Sequence, residues 1–128
     1  MRDLSPNIGV VQAVAPQVLN ATDTSAAIDL LGFESAALVI QTGAIAGSGN
    51  FTAKLQESDT TTAGDFTDVA AEHLTGTFPA SLEADAVVRV GYRGNKRYIR
   101  TVLIKNSGTS IAVAASVVKG HPADAPVL

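Results

Sequence analysis

An all-β fold, a two-sheet antiparallel β-sandwich of the jelly-roll kind with about eight strands, is what this sequence predicts, and three observations predict it. Short runs rich in Val, Ile, Thr and Phe recur along the chain, separated by turn signals at the spacing of a sandwich. No segment carries a convincing amphipathic helical period. The composition agrees: aromatic residues make up only 5% of the chain and Trp is absent, a mixture that suits small-residue β packing better than an aromatic-lined pocket.

At 128 residues the chain reads as a single domain, residues 1–128, that buries roughly two-thirds of the surface its unfolded form exposes. It has no cysteine, so apolar burial and backbone pairing must hold the fold without disulfides or thiolate zinc. Met1-Arg2-Asp3-Leu4-Ser5-Pro6 contains no signal-peptide core, and no apolar run is long enough for a bilayer. A soluble protein is expected. The net charge of −3 argues against general nucleic-acid affinity.

Taken in order, Asn7 to Leu19 is apolar but broken by Gly9 and Pro16, so it is expected to be extended and at an edge. Residues 1–19 then form either an arm reaching a neighbouring subunit, with Ile8, Val10 and Val11 as its apolar contacts, or an ordinary first strand. The strand weighs more, because apolar segments usually belong to the local core. After the polar turn Asn20 to Thr24, Ala36-Ala37-Leu38-Val39-Ile40 reads as a fully buried strand bounded by Gly32 and Gly43. Gly43 to Asn50 is a glycine-rich loop without the Lys-Ser/Thr ending or dinucleotide spacing of a phosphate cradle. Phe51 to Glu57 alternates, Phe51, Ala53 and Leu55 on one face. A polar tip follows, then Phe66-Thr67-Asp68-Val69 returns to make a hairpin. Glu57, Asp59, Asp65 and Asp68 invite a calcium site, but their spacing fits no EF-hand loop and solvated turns explain them better. No metal is assigned. A short strand is expected around Leu74 to Phe78, a last strand over Ser110 to Val118, and a proline-punctuated surface tail over 120–128.

The stretch from Val87 to Leu103 reads as a β-hairpin turning at Gly94-Asn95, a dipeptide that tolerates positive φ. It gathers Arg89, Arg93, Lys96, Arg97, Arg100 and Lys105, and no Asp or Glu falls between Ala86 and Ala123. Such a basic strip on an acidic chain supports docking onto an acidic protein surface. It also supports single-stranded nucleic-acid binding, with Tyr92 and Tyr98 as stacking faces. Pairing with the chain's own carboxylates weighs as much as both readings together. Catalysis has little support: there is no nucleophile elbow, Walker loop or His/Cys cluster, and His73 and His121 stand far apart. No catalytic residue and no cofactor are assigned.

Val90-Gly91-Tyr92-Arg93-Gly94-Asn95-Lys96-Arg97-Tyr98-Ile99-Arg100, with Phe51 to Asp59 and Phe66 to Val69 before it and Gly108-Thr109 and Val117-Val118-Lys119-Gly120 after it, resembles small proteins from tailed-phage head-gene regions. The resemblance covers the C-terminal two-thirds and lies in strand and turn motifs. It implies a virion structural protein similar to the cement or decoration proteins of capsids: made in the host cytoplasm, placed on the outer capsid surface, homo-oligomeric as a dimer or trimer, and bound to the major capsid protein. Arg89, Arg93, Lys96, Arg97 and Arg100 are the candidate contacts, with Ile8, Val10 and Val11. A tail-tube or head-to-tail joining component is the alternative within phage biology, and a single-stranded nucleic-acid module the alternative outside it.

Overall fold

Alternation decides which side of each strand is buried, and the two buried sides face each other. The structure, a computed structural model, describes residues 3–124 and 127. Among the described residues ten strands form, in chain order: β1 (Gly9–Leu19), β2 (Asp23–Thr24), β3 (Ile28–Asp29), β4 (Phe33–Ala46), β5 (Asn50–Ser58), β6 (Thr67–Asp68), β7 (Leu74–Thr75), β8 (Val87–Tyr92), β9 (Tyr98–Ser107) and β10 (Ser110–Pro122). One sheet has the order β1-β10-β4-β8-β7, and the other β2-β9-β5-β6 with β3 also on β9. All pairings are antiparallel.

The topology is a jelly roll. β2 and β3 behave as one interrupted strand, because Ser25 N donates to Thr101 O at 2.9 Å and Thr101 N donates to Ser25 Oγ at 3.0 Å, keeping the gap on β9. With β7 as a two-residue addition to β8, the eight remaining strands pair first with last and inward: β1 with β10, β2/β3 with β9, β4 with β8, β5 with β6. That nesting is two Greek keys folded into two sheets.

Phe51, Leu38, Ile40, Ile99, Leu103, Ile111 and Val90 are the largest fully buried side chains and lie between the sheets. Phe51, Ala53 and Leu55 of β5 face inward as their alternation predicts, and β6 pairs back on β5 as a hairpin. Leu82, in the strandless span before β8, plugs the core and donates its N–H to Phe51 O at 2.8 Å.

Four expectations are corrected. The Val87–Leu103 segment is not a hairpin: β8 lies in one sheet and β9 in the other, and residues 93–97 cross between them. A jelly roll requires this, since its sixth and seventh strands belong to opposite sheets. The glycine-rich loop shrinks to a turn at Gly47-Ser48-Gly49, because β4 runs on to Ala46 in register with Ser110. The strand expected over Leu74 to Phe78 is two residues long. The surface tail begins later, since β10 continues through Pro122, which lies opposite Phe33; residues 125, 126 and 128 lie outside the described residues. Of the two readings of the N-terminal segment, the favoured one holds: residues 9–19 are the edge strand β1, held along β10, with Val14 and Leu19 in the core.

Candidate functional site

The crossover from β8 to β9 is built around Tyr92. Alternation turns its side chain inward, where it is 6% exposed, and its hydroxyl donates to Glu57 Oε1 of the opposite sheet at 2.8 Å. The same oxygen accepts the N–H of Lys96 at 3.1 Å. Burial, first, and then the adjacent Glu57 carboxylate push the phenol's pKa well above the ordinary tyrosine value, with the Lys96 N–H, which favours the phenolate, opposing them only in part. One hydroxyl thus ties together both sheets and the connection between them.

The cations expected in one strip are dispersed by this geometry. Arg89 stands on the exterior of the β1-containing sheet and Arg100 on the exterior of the other, while Arg93, Lys96 and Arg97 lie at the end where the chain crosses. Three of them bind their own chain. Arg97 forms a two-pronged bridge to Asp29, Nε to Oδ1 at 2.9 Å and Nη2 to Oδ2 at 2.8 Å; it holds the Asp29 carboxyl down at about 2 and is itself raised. Lys96 Nζ reaches Asp59 Oδ2 at 2.9 Å, and that hydrogen bond raises the lysine. Arg100 donates to Gln56 Oε1 at 2.7 Å and lies over the Phe66 ring. Arg89 and Arg93 make no side-chain hydrogen bond or ion pair among the described residues.

The nucleic-acid arrangement loses its first stacking face, because Tyr92 is a core residue. Tyr98 is half-buried, with the Arg97 guanidinium 5.1 Å from its ring centre. The four carboxylates of the calcium reading each have a partner of their own: Tyr92 for Glu57, Lys96 for Asp59, Thr60 for Asp65, and Lys54 with Gln56 for Asp68. The Gln56 and Lys54 bonds lower the Asp68 pKa.

Sequence reasoning missed the surface that distinguishes the two sheets. The exterior of the β5–β9 sheet is laced with polar contacts: Lys54 to Asp68 at 3.1 Å, Arg100 to Gln56, and Asn106 Nδ2 to Thr52 Oγ1 at 2.7 Å. The exterior of the β1-containing sheet is different. Register places Val10, Val118, Ala37 and Gly91 in one outward row, Gln12, Ser116, Val39 and Arg89 in the next, then Ala114, Gln41 and Val87, then Val18 and Ala112. Among the described residues of these rows Arg89 is the one charge, on β8, the outermost of the four long strands. Val10, Val18 and Val87 are 61%, 68% and 65% exposed. A shallow open groove of about 460 Å³ crosses this face between Pro16–Val18 and Gln41–Gly43, floored by Ala112 and Ala114. The signal was in the sequence: β4 and β10 are apolar in both phases of their alternation, and a two-layer sandwich covers only one phase.

Fold and surface together define a jelly-roll protein with one polar and one neutral, apolar exterior. No protein-family model matches the sequence, and no curated protein matches it. Among solved structures, the chain is similar to the SPBc2 prophage-derived protein YomS, with a TM-score of 0.55 and 10% identity over 93% of this chain and 97% of that one. Structures of the infectious bursal disease virus Gx strain and of PirA align with TM-scores of 0.44 each. Their identities are 16% and 14%, over 93% and 94% of this chain and 33% and 99% of theirs. The likeness to the prophage protein shows a common fold running nearly end to end in both chains.

Proposed function

We propose that this protein is a non-enzymatic virion component of a tailed phage, a cement or decoration protein that binds the outside of a major capsid protein lattice and stabilises it. The observation that carries the reading is the nearly uncharged, apolar exterior of the β1-containing sheet, a surface fit to be covered by protein within an assembly, as a component that works as an oligomer on a shell requires. The fold shared with a prophage-derived protein along almost the whole of both chains supports it. Such a protein acts by area and valency: each contact is modest, and an oligomer that engages several shell subunits at once gains avidity without any turnover.

The crossover end supplies the lattice contacts in this reading. Arg93 makes no side-chain bond among the described residues and can meet an acidic patch, and Lys96 and Arg97 can trade their exposed ion pairs, which solvent screening leaves weak. Arg89 and Arg100, on opposite exteriors, are too far separated by the sandwich to join the same small patch.

Co-sedimentation with empty shells, at low and physiological salt, tests the proposal. The wild-type chain should travel with the shells, Arg93→Glu combined with Arg97→Glu should weaken the association at least about tenfold, and Lys54→Glu should leave it near the wild-type value. Equal losses for both variants would remove the crossover end from the contact. A wild-type chain that ignores shells, or travels with tails or connectors instead, would overturn the cement reading.

A further inference from the structure

We infer that the exterior of the β1-containing sheet is a self-association surface, occupied by the same face of a second copy of this chain. The inference rests on the geometry of that face and not on the lattice partner, so it can fail while the cement reading stands.

Three observations point to a second copy. The first is charge. A face whose rows run Val10-Val118-Ala37, Ser116-Val39, Ala114-Gln41-Val87 and Val18-Ala112 offers no sign for a charged partner to complement, yet lies against itself without penalty. The one cation in these rows, Arg89, stands on β8, the outermost of the four long strands, from which its long side chain can extend past the face to water, whereas the other sheet's exterior carries Lys54, Asp68 and Arg100 and would bury them. The second is shape. The face bears both a groove floored by Ala112 and Ala114 and three projecting valines, Val10, Val18 and Val87, each more than half exposed. A knob and a hole on one patch are what an isologous two-fold contact needs, because each copy then fills the other.

The third is area. Four strands about 4.8 Å apart, followed for about eight residues at about 3.3 Å each, make a face of roughly 500 Å². Two such faces remove about 1,000 Å² from water, which reaches the lower bound for a specific interface. Small outward side chains let two sheets approach to the ordinary packing distance of about 10 Å. The contact closes at two copies, leaves both crossover ends at the periphery, and so makes the pair bivalent.

Sedimentation equilibrium on the full chain decides the matter. The wild type should weigh twice the 13.1 kDa of one chain. Ala114→Arg, at the groove floor, and Val39→Glu, at the middle of the face, should each dissociate at least about a hundredfold more readily, since a two-fold contact meets every introduced charge twice. Both side chains point away from the core, and an unchanged far-UV circular dichroism spectrum with cooperative melting will show that the variants are folded. The milder Val87→Ser should weaken the pair by a smaller factor, and Lys54→Ala should stay paired. A wild-type monomer at about 100 μM, a trimer, or a pair that survives both charged variants would each overturn the inference. A monomer whose binding to shells is abolished by Ala114→Arg would overturn it too, by assigning this face to the lattice.

Discussion

Gly94 acts through space and not through torsion. A side chain there would run into the ring and hydroxyl of Tyr92, so the glycine that reads as a hairpin turn is in fact the floor on which the crossover tyrosine rests. The bond that this seating secures can be measured. Tyr92→Phe leaves the Glu57 carboxylate, 8% exposed, without its hydroxyl donor, and should lower unfolding free energy by about 1–3 kcal/mol, the cost of an unmet buried polar group. Urea denaturation should also show part of that loss restored by adding Glu57→Gln, because a neutral amide is cheaper to bury than a carboxylate. At the same end, the Asp29 carboxyl is held at about 2, below the ordinary 3.8, chiefly by its hydrogen bonds from Arg97. A depressed carboxylate contributes stability above its unfolded pKa and loses it as pH falls through the folded one. Thermal melts should therefore drop between about pH 4 and pH 2 more in the wild type than in Asp29→Asn. The difference should stay within about 1 kcal/mol, since the pair is exposed to solvent.

Among the elements, β1 carries the sharpest consequence. It is an edge strand with Pro16 in its second half and register shifts on either side of Val14, features that discourage uncontrolled edge pairing. Yet Val14 and Leu19 are core residues and Val11 packs against the core. Deleting residues 1–19 should therefore abolish cooperative unfolding or leave the protein insoluble, because β10 loses one of its two neighbours and the core two of its side chains. A detachable arm would instead give a truncated chain with an unchanged melting temperature. The turns at the opposite end are packed back to back: Gly108, at φ 78°, leaves no room for a side chain against the backbone of Ser48 and Gly49. That contact joins the β9–β10 turn to the β4–β5 turn across the two sheets.

For the whole molecule, nesting sets the folding problem. The first long strand pairs with the last, so the β1–β10 ladder closes only after nearly the entire chain has been ordered. Loop closure of that length must be met before its contacts stabilise anything, which places the jelly roll among slow-folding topologies. Stopped-flow refolding should show its main phase in milliseconds to seconds; a microsecond phase carrying most of the amplitude would contradict that expectation. The same wrapping sets the molecule's asymmetry. One sheet turns ion pairs and amides outward, the other valines and alanines, and a chain with a net charge of −3 consequently keeps one broad face nearly free of charge.

Local chemistry was enough to make the strands legible. Phe51 to Glu57 alternates with period two whatever it pairs with, Gly108 marks a turn by its own freedom, and the lack of any helical period excludes the other fold classes. The jelly roll followed as an expectation from strand number and spacing. Partnership was decided only in three dimensions, because hydrogen-bonding neighbours are chosen by the whole set of strands. Val87–Tyr92 and Tyr98–Ser107 look like a hairpin to a reader moving along the chain, yet their ladders run to β4 and to β5. Arg97 and Lys96 find their carboxylates 68 and 37 residues away, which no spacing rule foretells. The apolar exterior stands between the two cases: both phases of β4 and β10 are visibly apolar in the sequence, but which phase the second sheet covers, and which it leaves for a partner, is a property of the packed sandwich alone.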